Sequence, residues 1–329
     1  MRALEYIRST DAAQAVELVS GDPTAAFLAG GTTQLDLMKD GVLDPARLVD
    51  ITRLPLHAVE SHGEVLRVGA LVTMEELAAH PTVAERIPFV REALLSGAST
   101  QLRNMATIGG NLLQRTRCRY FRDPDVPQCN KRAPGSGCAA VHGAARMHAV
   151  LGASERCIAV HASDLAVALV ALDAVVHIQG VAGPRQVPLT DFYLPASDSP
   201  EVENVLQHGE LITSVSIPLL PTGARSGYLK VRDRSSYEFA LTSAAVSLLI
   251  SDDAIKDARI GLGGVGSVPW RAWEAERALA GASATVENFQ WAAAAAVQGA
   301  WTVPGTAFKV ELARRTLVRE LQTVAGATV

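Results

Sequence analysis

The chain has 329 residues, 30 Lys and Arg against 34 Asp and Glu, a formal charge of −4, and 48% apolar but only 5% aromatic residues. This balance excludes a disordered polypeptide, and a sequence pI near 6.1 argues against a dedicated nucleic-acid binder, which concentrates excess positive charge. The length suffices for two domains with a large buried core, and no apolar run reaches the roughly 18 residues that cross a bilayer.

The opening Met1-Arg2-Ala3-Leu4-Glu5 lacks the basic-then-apolar pattern of a secretion signal, so a soluble globular protein without its own export signal is expected. Residues 11–19 have helical spacing, with Ala12, Ala15, Val16 and Val19 on one stripe, and Pro23 stops them. A short buried strand is predicted over 25–29, followed by Gly30-Gly31-Thr32-Thr33 and a helix over 34–38. Strands are predicted over 48–51 and 65–68, a helix over 74–79, and a helical turn over 82–86. Pro88 opens a further helix over 89–95, because proline is tolerated only in a first turn. A second double glycine, Ala106-Thr107-Ile108-Gly109-Gly110-Asn111, comes next. Ser163-Asp164 ahead of Leu165–Leu172 is a helix-capping signature. Strands over 175–178 and 211–217 lead to Pro218, Pro221 and Gly223, which mark a boundary. The last third is predicted to hold strands over 228–231 and 258–262, Ala-rich helices over 270–280 and 286–298, and a final helix over 308–323.

The four cysteines, Cys118, Cys129, Cys138 and Cys157, all fall in one short stretch. Three readings compete. Paired disulfides suit a small secreted domain, which this is not. Zinc sites usually pair ligands two to four residues apart, whereas these gaps are far wider. A [4Fe-4S] cubane also takes four thiolates, which loops can bring from a distance. Arg117, Arg119, Arg122, Lys131, Arg132, Arg146 and Arg156 lie in or beside the stretch, and cations and glycine N–H groups offset the negative charge of a thiolate-bound cluster. The plainer reading is a solvated basic loop with incidental thiols. Spacing does not decide among cubane, zinc and that loop.

Strand, double glycine and then hydroxyl residues opening a helix can cradle phosphate, because glycine permits left-handed turns whose N–H groups converge on an anion. Either Gly-Gly alone also serves as an ordinary tight turn. Two together, at 30–31 and 109–110, suit one extended ligand with two phosphates. Gly261-Leu262-Gly263-Gly264-Val265-Gly266 matches G-x-G-x-x-G literally, but Val268-Pro269 delays the helix that a dinucleotide fold needs there. It is read as a glycine-rich turn.

With these residues in view, the sequence resembles a known family. Phe27-Leu28-Ala29-Gly30-Gly31-Thr32-Thr33-Gln34-Leu35 and Thr107-Ile108-Gly109-Gly110-Asn111 are similar to the two FAD pyrophosphate loops of the medium, flavin-binding subunit of the xanthine dehydrogenase (molybdenum hydroxylase) family. The likeness continues through Ser163-Asp164-Leu165, Gly209-Glu210-Leu211 to Pro218, and Tyr228-Leu229-Lys230. The insert from Cys118-Arg119-Tyr120 through Cys129-Asn130-Lys131-Arg132 to Pro134-Gly135-Ser136-Gly137-Cys138 resembles that of the three-subunit bacterial aldehyde oxidoreductases, whose flavin subunit carries an extra [4Fe-4S] cluster. The 4-hydroxybenzoyl-CoA reductase flavin subunit also has a cubane insert, with different cysteine spacing.

The resemblance implies an α+β fold: a two-part α/β FAD-binding domain over 1–220, with the cysteine insert at about 115–157, then a smaller α+β domain over 221–329. It implies pyrophosphate loops at 27–35 and 107–111, Asp164 on the ribityl and ribose side, Ile212 against the isoalloxazine and Lys230 near the ring. Cys118, Cys129, Cys138 and Cys157 are the implied metal ligands. The implied activity is electron transfer from a molybdopterin subunit and a [2Fe-2S] subunit, through FAD, to an external acceptor, with neither nucleic acid nor a membrane span involved. The compartment is periplasmic if a partner carries a twin-arginine signal, and cytoplasmic otherwise. Rival readings are the flavin subunit of a related molybdenum hydroxylase or reductase such as 4-hydroxybenzoyl-CoA reductase, a zinc-stapled binding module and a self-contained flavin oxidase.

Overall fold

The structure is a computed structural model that describes residues 4–196 and 199–326. Met1-Arg2-Ala3 of the export-signal reading lie outside these. β1 (Glu5–Arg8), β2 (Ala25–Leu28) and β3 (Arg47–Asp50) form a parallel sheet in the order β1-β3-β2. Parallel strands of one sheet need crossovers, and α1 (Ala12–Ser20) carries the chain from β1 to β2, the two strands that flank β3. Asp11 caps α1 by accepting from the Gln14 N–H, and Ala15, Val16 and Val19 face the sheet, as their spacing requires. β2 runs into Gly30-Gly31, and α2 (Gln34–Lys39) follows.

The second part is antiparallel. β4 (Val59–His62) and β5 (Val65–Gly69) lead into five helices: α3 (Met74–Ala79), α4 (Pro81–Arg86), α5 (Pro88–Ser96), α6 (Thr100–Arg103) and α7 (Ile108–Leu112). The insert contributes α8 (Arg119–Arg122) and α9 (Ala139–His142), and the chain returns through α10 (Asp164–Ala171), β6 (Val175–Gly180), β7 (Gly183–Pro188), α11 (Leu189–Phe192) and β8 (Leu211–Pro218). The sheet order is β4-β5-β8-β6-β7.

The third part is a four-stranded antiparallel sheet, β12-β11-β10-β9, built from β9 (Arg225–Val231), β10 (Thr242–Ser251), β11 (Ala254–Gly263) and β12 (Trp270–Arg271). Helices α12 (Trp273–Leu279), α13 (Val286–Ala296) and α14 (Phe308–Ala325) cover it. Trp270 and Arg271 are strand rather than the start of a helix; Arg271 is drawn away to donate to the Val170 carbonyl and to pair with Glu276.

Helix α10 joins the parts. Every residue from Leu165 to Leu172 is buried, because the helix packs on α5 on one side and on β10 and β11 on the other. Gly261 and Gly263 permit this approach: a Cβ at Gly261 would sit 2.3 Å from the Val167 carbonyl oxygen, and one at Gly263 2.6 Å from Val167 Cγ2. The glycine-rich segment at 261–266 therefore ends an antiparallel strand and packs a helix, with no dinucleotide turn. The main core accordingly includes Tyr228 and Ala245 from beyond position 220.

Candidate functional site

Both double glycines line one cavity of about 140 Å³, with Phe27, Ala29, Thr32, Thr33, Gln34 and Thr107 in its wall. Gly30 lies flat against the backbone: a Cβ there would meet the Met105 carbonyl oxygen at 1.7 Å. Gly31 has φ +72°, the left-handed region that favours glycine. Gly109 abuts Ala70, whose Cβ and carbonyl oxygen would be 3.0 and 3.2 Å from an added Cβ. The second double glycine is helical rather than a turn, with Thr107 as N-cap accepting from the Gly110 N–H at 3.2 Å. Of the remaining loop residues, Leu28 stands in β2, Leu35 is exposed and props Gly31, and Ile108 is fully buried core. Ile212 lines this same cavity, and Lys230 lines the adjoining one. The place of Ile212 is thus beside the glycine loops.

Thr32, Thr33 and Gly110 also border a larger cavity of about 430 Å³, which contains Asn111, Asp164 and Lys230. Ser163 caps α10 and donates to Asn111 Oδ1 at 2.5 Å, which puts Asp164 in the first turn with its carboxylate facing the cavity. Lys230 Nζ lies 2.7 Å from Asp164 Oδ2 and also donates to the Ser96 carbonyl. The Tyr228 hydroxyl donates to Asp164 Oδ1 at 2.6 Å. These side chains are almost wholly enclosed, at 4% exposure for Lys230 and 10% for Asp164. Burial and the adjacent carboxylate push the Tyr228 hydroxyl well above its ordinary pKa, so it stays a donor. A paired cation, a carboxylate and narrow glycine walls in two adjoining cavities fit an extended dinucleotide with a planar polar ring.

Several wall residues had no signal in the sequence. Met74, Leu102, Arg234, Tyr237 and Phe239 border the larger cavity from helices and from the loop after β9. Tyr228 is alternating strand residue by pattern, and only the fold reveals that its hydroxyl reaches across to α10.

The insert gathers the other three cysteines around Cys118. Cys118 contacts the small apolar groups that contain Cys138, Cys129 and Cys157 in turn. Cys129 and Cys138 pair across an antiparallel bridge, and all four are free thiols. Burial pushes the Cys118 thiol up to about 11 and Cys157 up to about 12, with neighbouring sulfurs adding to both shifts. Backbone N–H groups of Phe121 and Tyr120 face Cys118, and that of Ala159 lies 3.4 Å from Cys157 Sγ. Among the described residues no three of His, Cys, Asp and Glu converge on a single point as ligands of one ion would. Four thiolates on a cubane bind four separate irons and stand further apart than that.

The cations of the insert are mostly engaged elsewhere. Arg117 and Arg122 pair with Asp36, and Arg122 with Asp40 as well. Arg132 staples the loop by donating to the carbonyls of Tyr120, Phe121 and Val126. Arg146 pairs with Asp233. Lys131, buried beside Glu203, is the cation whose charge favours the Cys157 thiolate. The basic composition therefore serves loop architecture first.

Comparison with known proteins agrees with this geometry. Residues 2–220 match the FAD binding domain in molybdopterin dehydrogenase, and residues 227–324 match the CO dehydrogenase flavoprotein C-terminal domain. The chain is 46% identical over 323 residues, 98% of each chain, to the aldehyde oxidoreductase FAD-binding subunit PaoB of Escherichia coli. It is 28% identical to the carbon monoxide dehydrogenase medium chain of Afipia carboxidovorans, over 85% of this chain and 80% of that one. The solved carbon monoxide dehydrogenase from Hydrogenophaga pseudoflava contains a chain of the same fold, with TM-score 0.78, 24% identity and coverage of 100% and 99%. This chain belongs to the FAD-binding medium subunits of the molybdenum hydroxylase family.

Proposed function

We propose that this protein is the electron-transfer subunit of a molybdenum-dependent aldehyde oxidoreductase and carries both FAD and a [4Fe-4S] cluster. The observation that carries the reading is the pairing of near full-length similarity to an aldehyde oxidoreductase FAD-binding subunit with three further cysteines gathered around Cys118. Its partners are a [2Fe-2S] subunit and a molybdopterin subunit, and an external acceptor takes the electrons. Aldehyde oxidation releases two electrons, iron–sulfur centres pass them singly, and a flavin accepts one or two.

The residues of this chain bind and orient. Residues 27–35 and 107–111 hold the pyrophosphate: Gly30 and Gly109 let backbone approach closely, and Thr32 and Thr33 offer hydroxyls. Asp164 accepts from the ribityl side, and Lys230, held by Asp164 and the Ser96 carbonyl, presents a fixed positive charge toward the ring. Tyr228 keeps Asp164 aligned. Cys118, Cys129, Cys138 and Cys157 are the four ligands of the cluster, and the N–H groups of Tyr120, Phe121 and Ala159 offset thiolate charge.

The test is to tag this chain, identify what copurifies, and assay flavin, iron and aldehyde-dependent dye reduction on the same sample. FAD, iron beyond that of the partner, and aldehyde turnover support the reading. A single zinc in place of the additional iron, or turnover by the isolated chain, overturns it in favour of a zinc-stapled module or a self-contained oxidase.

A further inference from the structure

A third cavity, of about 420 Å³, lies between the insert and Asp164, and among the four cysteines Cys118 alone reaches its wall. His148 lines the same wall, with Nε2 3.1 Å from Cys118 Sγ. We propose that His148 donates a hydrogen bond to the Cys118 sulfur and so sets the reduction potential of the cluster at the corner nearest the flavin site. This rests on the cluster reading above.

The direction of the bond follows from chemistry. A sulfur bonded to iron carries no proton and only accepts, so the hydrogen must come from the ring. Among the described residues the other ring nitrogen, Nδ1, is buried without a well-formed hydrogen bond, while the Ala145 carbonyl beside the ring favours a ring proton. Donation to the sulfur requires the hydrogen on Nε2.

The ring is also held in place. The His148 N–H donates to the Ala145 carbonyl at 2.8 Å, and its own carbonyl accepts from Lys309 Nζ at 2.8 Å. Lys309 comes from α14, is fully buried, and donates also to the Gly264 carbonyl. The Tyr120 ring lies beside His148 with centroids 6.2 Å apart, and the Tyr120 hydroxyl is tied to the Ala144 N–H at 2.6 Å. A lysine is rarely buried without a carboxylate partner. Here it bridges two backbone segments and fixes the loop that carries His148. His148 is 4% exposed, so little of it meets bulk water. Hydrogen bonds to cluster sulfurs withdraw electron density, favour the more negative reduced state and raise the potential.

The experiment is an EPR-monitored redox titration of the purified complex as wild type, His148→Phe and His148→Gln, with Cys129→Ser marking which signal belongs to this chain. His148→Phe is expected to shift the reduction equilibrium of that signal about tenfold toward the oxidised state, about 59 mV downward for one electron. The flavin and [2Fe-2S] potentials stay where they are, and Gln, which keeps an N–H, restores much of the difference. An unchanged cluster potential in His148→Phe overturns the proposal while leaving the cluster reading intact. A wild-type complex with no signal that responds to Cys129→Ser overturns the cluster reading itself. Should His148→Phe lose its cluster, pulsed EPR on the wild type decides, using isotope-labelled histidine and exchange into heavy water. A nitrogen and an exchangeable proton coupled to the reduced cluster support the bond, and their absence refutes it.

Discussion

Glu320 on α14 is 5% exposed and lies against β9, so close that a Cβ on Gly227 would sit 2.2 Å from its Oε1. Burial first, and then the charge of Glu92 on α5, push its carboxyl up to about 7 from an ordinary 4.5. Glu92 is itself raised by burial, although its Oε2 accepts from the Tyr228 N–H at 2.7 Å. The native state therefore holds a proton that the unfolded chain has already released across that window. Stability consequently falls as pH rises from about 4.5 through about 7, and the full penalty is present above it. A displacement from 4.5 to about 7 corresponds to roughly 3 kcal/mol as an upper figure, at about 1.4 kcal/mol per pH unit. Glu320→Gln removes the titration and keeps the shape. Urea unfolding of the variant and wild type at about pH 5 and about pH 8 is the assay. The variant should match the wild type at the lower pH and exceed it by roughly 1–3 kcal/mol at the higher one. A stability difference independent of pH refutes the reasoning.

Lys230→Met leaves Asp164 buried without its cation and should cost about 3–5 kcal/mol along with FAD content, both read on one preparation; adding Asp164→Leu should recover the stability but not the flavin. Gly30→Ala drives a methyl into the Met105 carbonyl and should strip FAD, measured as flavin per chain, with the circular dichroism of the rest retained. Because the thiols of Cys118 and Cys157 are raised to about 11 and about 12, ligand formation must expel protons. Iron uptake by the apo-protein should therefore improve with rising pH between about 7 and about 9, and uptake insensitive to pH would count against these ligands.

The amphipathic elements were legible because their apolar spacing matches what they bury. The stripe of Ala15, Val16 and Val19 on α1 is one case, and Pro88 at the head of α5 is another. β10 was not legible. Thr242–Ser251 is enclosed by α10 on one face and α14 on the other, so it lacks alternation and its alanines resemble a helix. β1 and β4 escaped for the opposite reason, since mostly exposed edges carry few apolar residues. At the site, Gly30, Gly31, Gly109 and Asp164 stood out through turn and capping chemistry. Tyr228, Phe239 and His148 did not, because their significance lies in what they face across the fold: Asp164, the cavity wall and Cys118. Of the basic residues of the insert, Arg122 and Arg132 hold loops, while the Lys131 charge favours the Cys157 thiolate.

Native mass spectrometry of this subunit released from its purified complex tests the account most directly. The account predicts the mass of the chain plus one FAD and one [4Fe-4S] cluster, with the cluster mass alone missing in Cys129→Ser. A wild-type subunit carrying FAD with one zinc, or FAD and no metal at all, would contradict it.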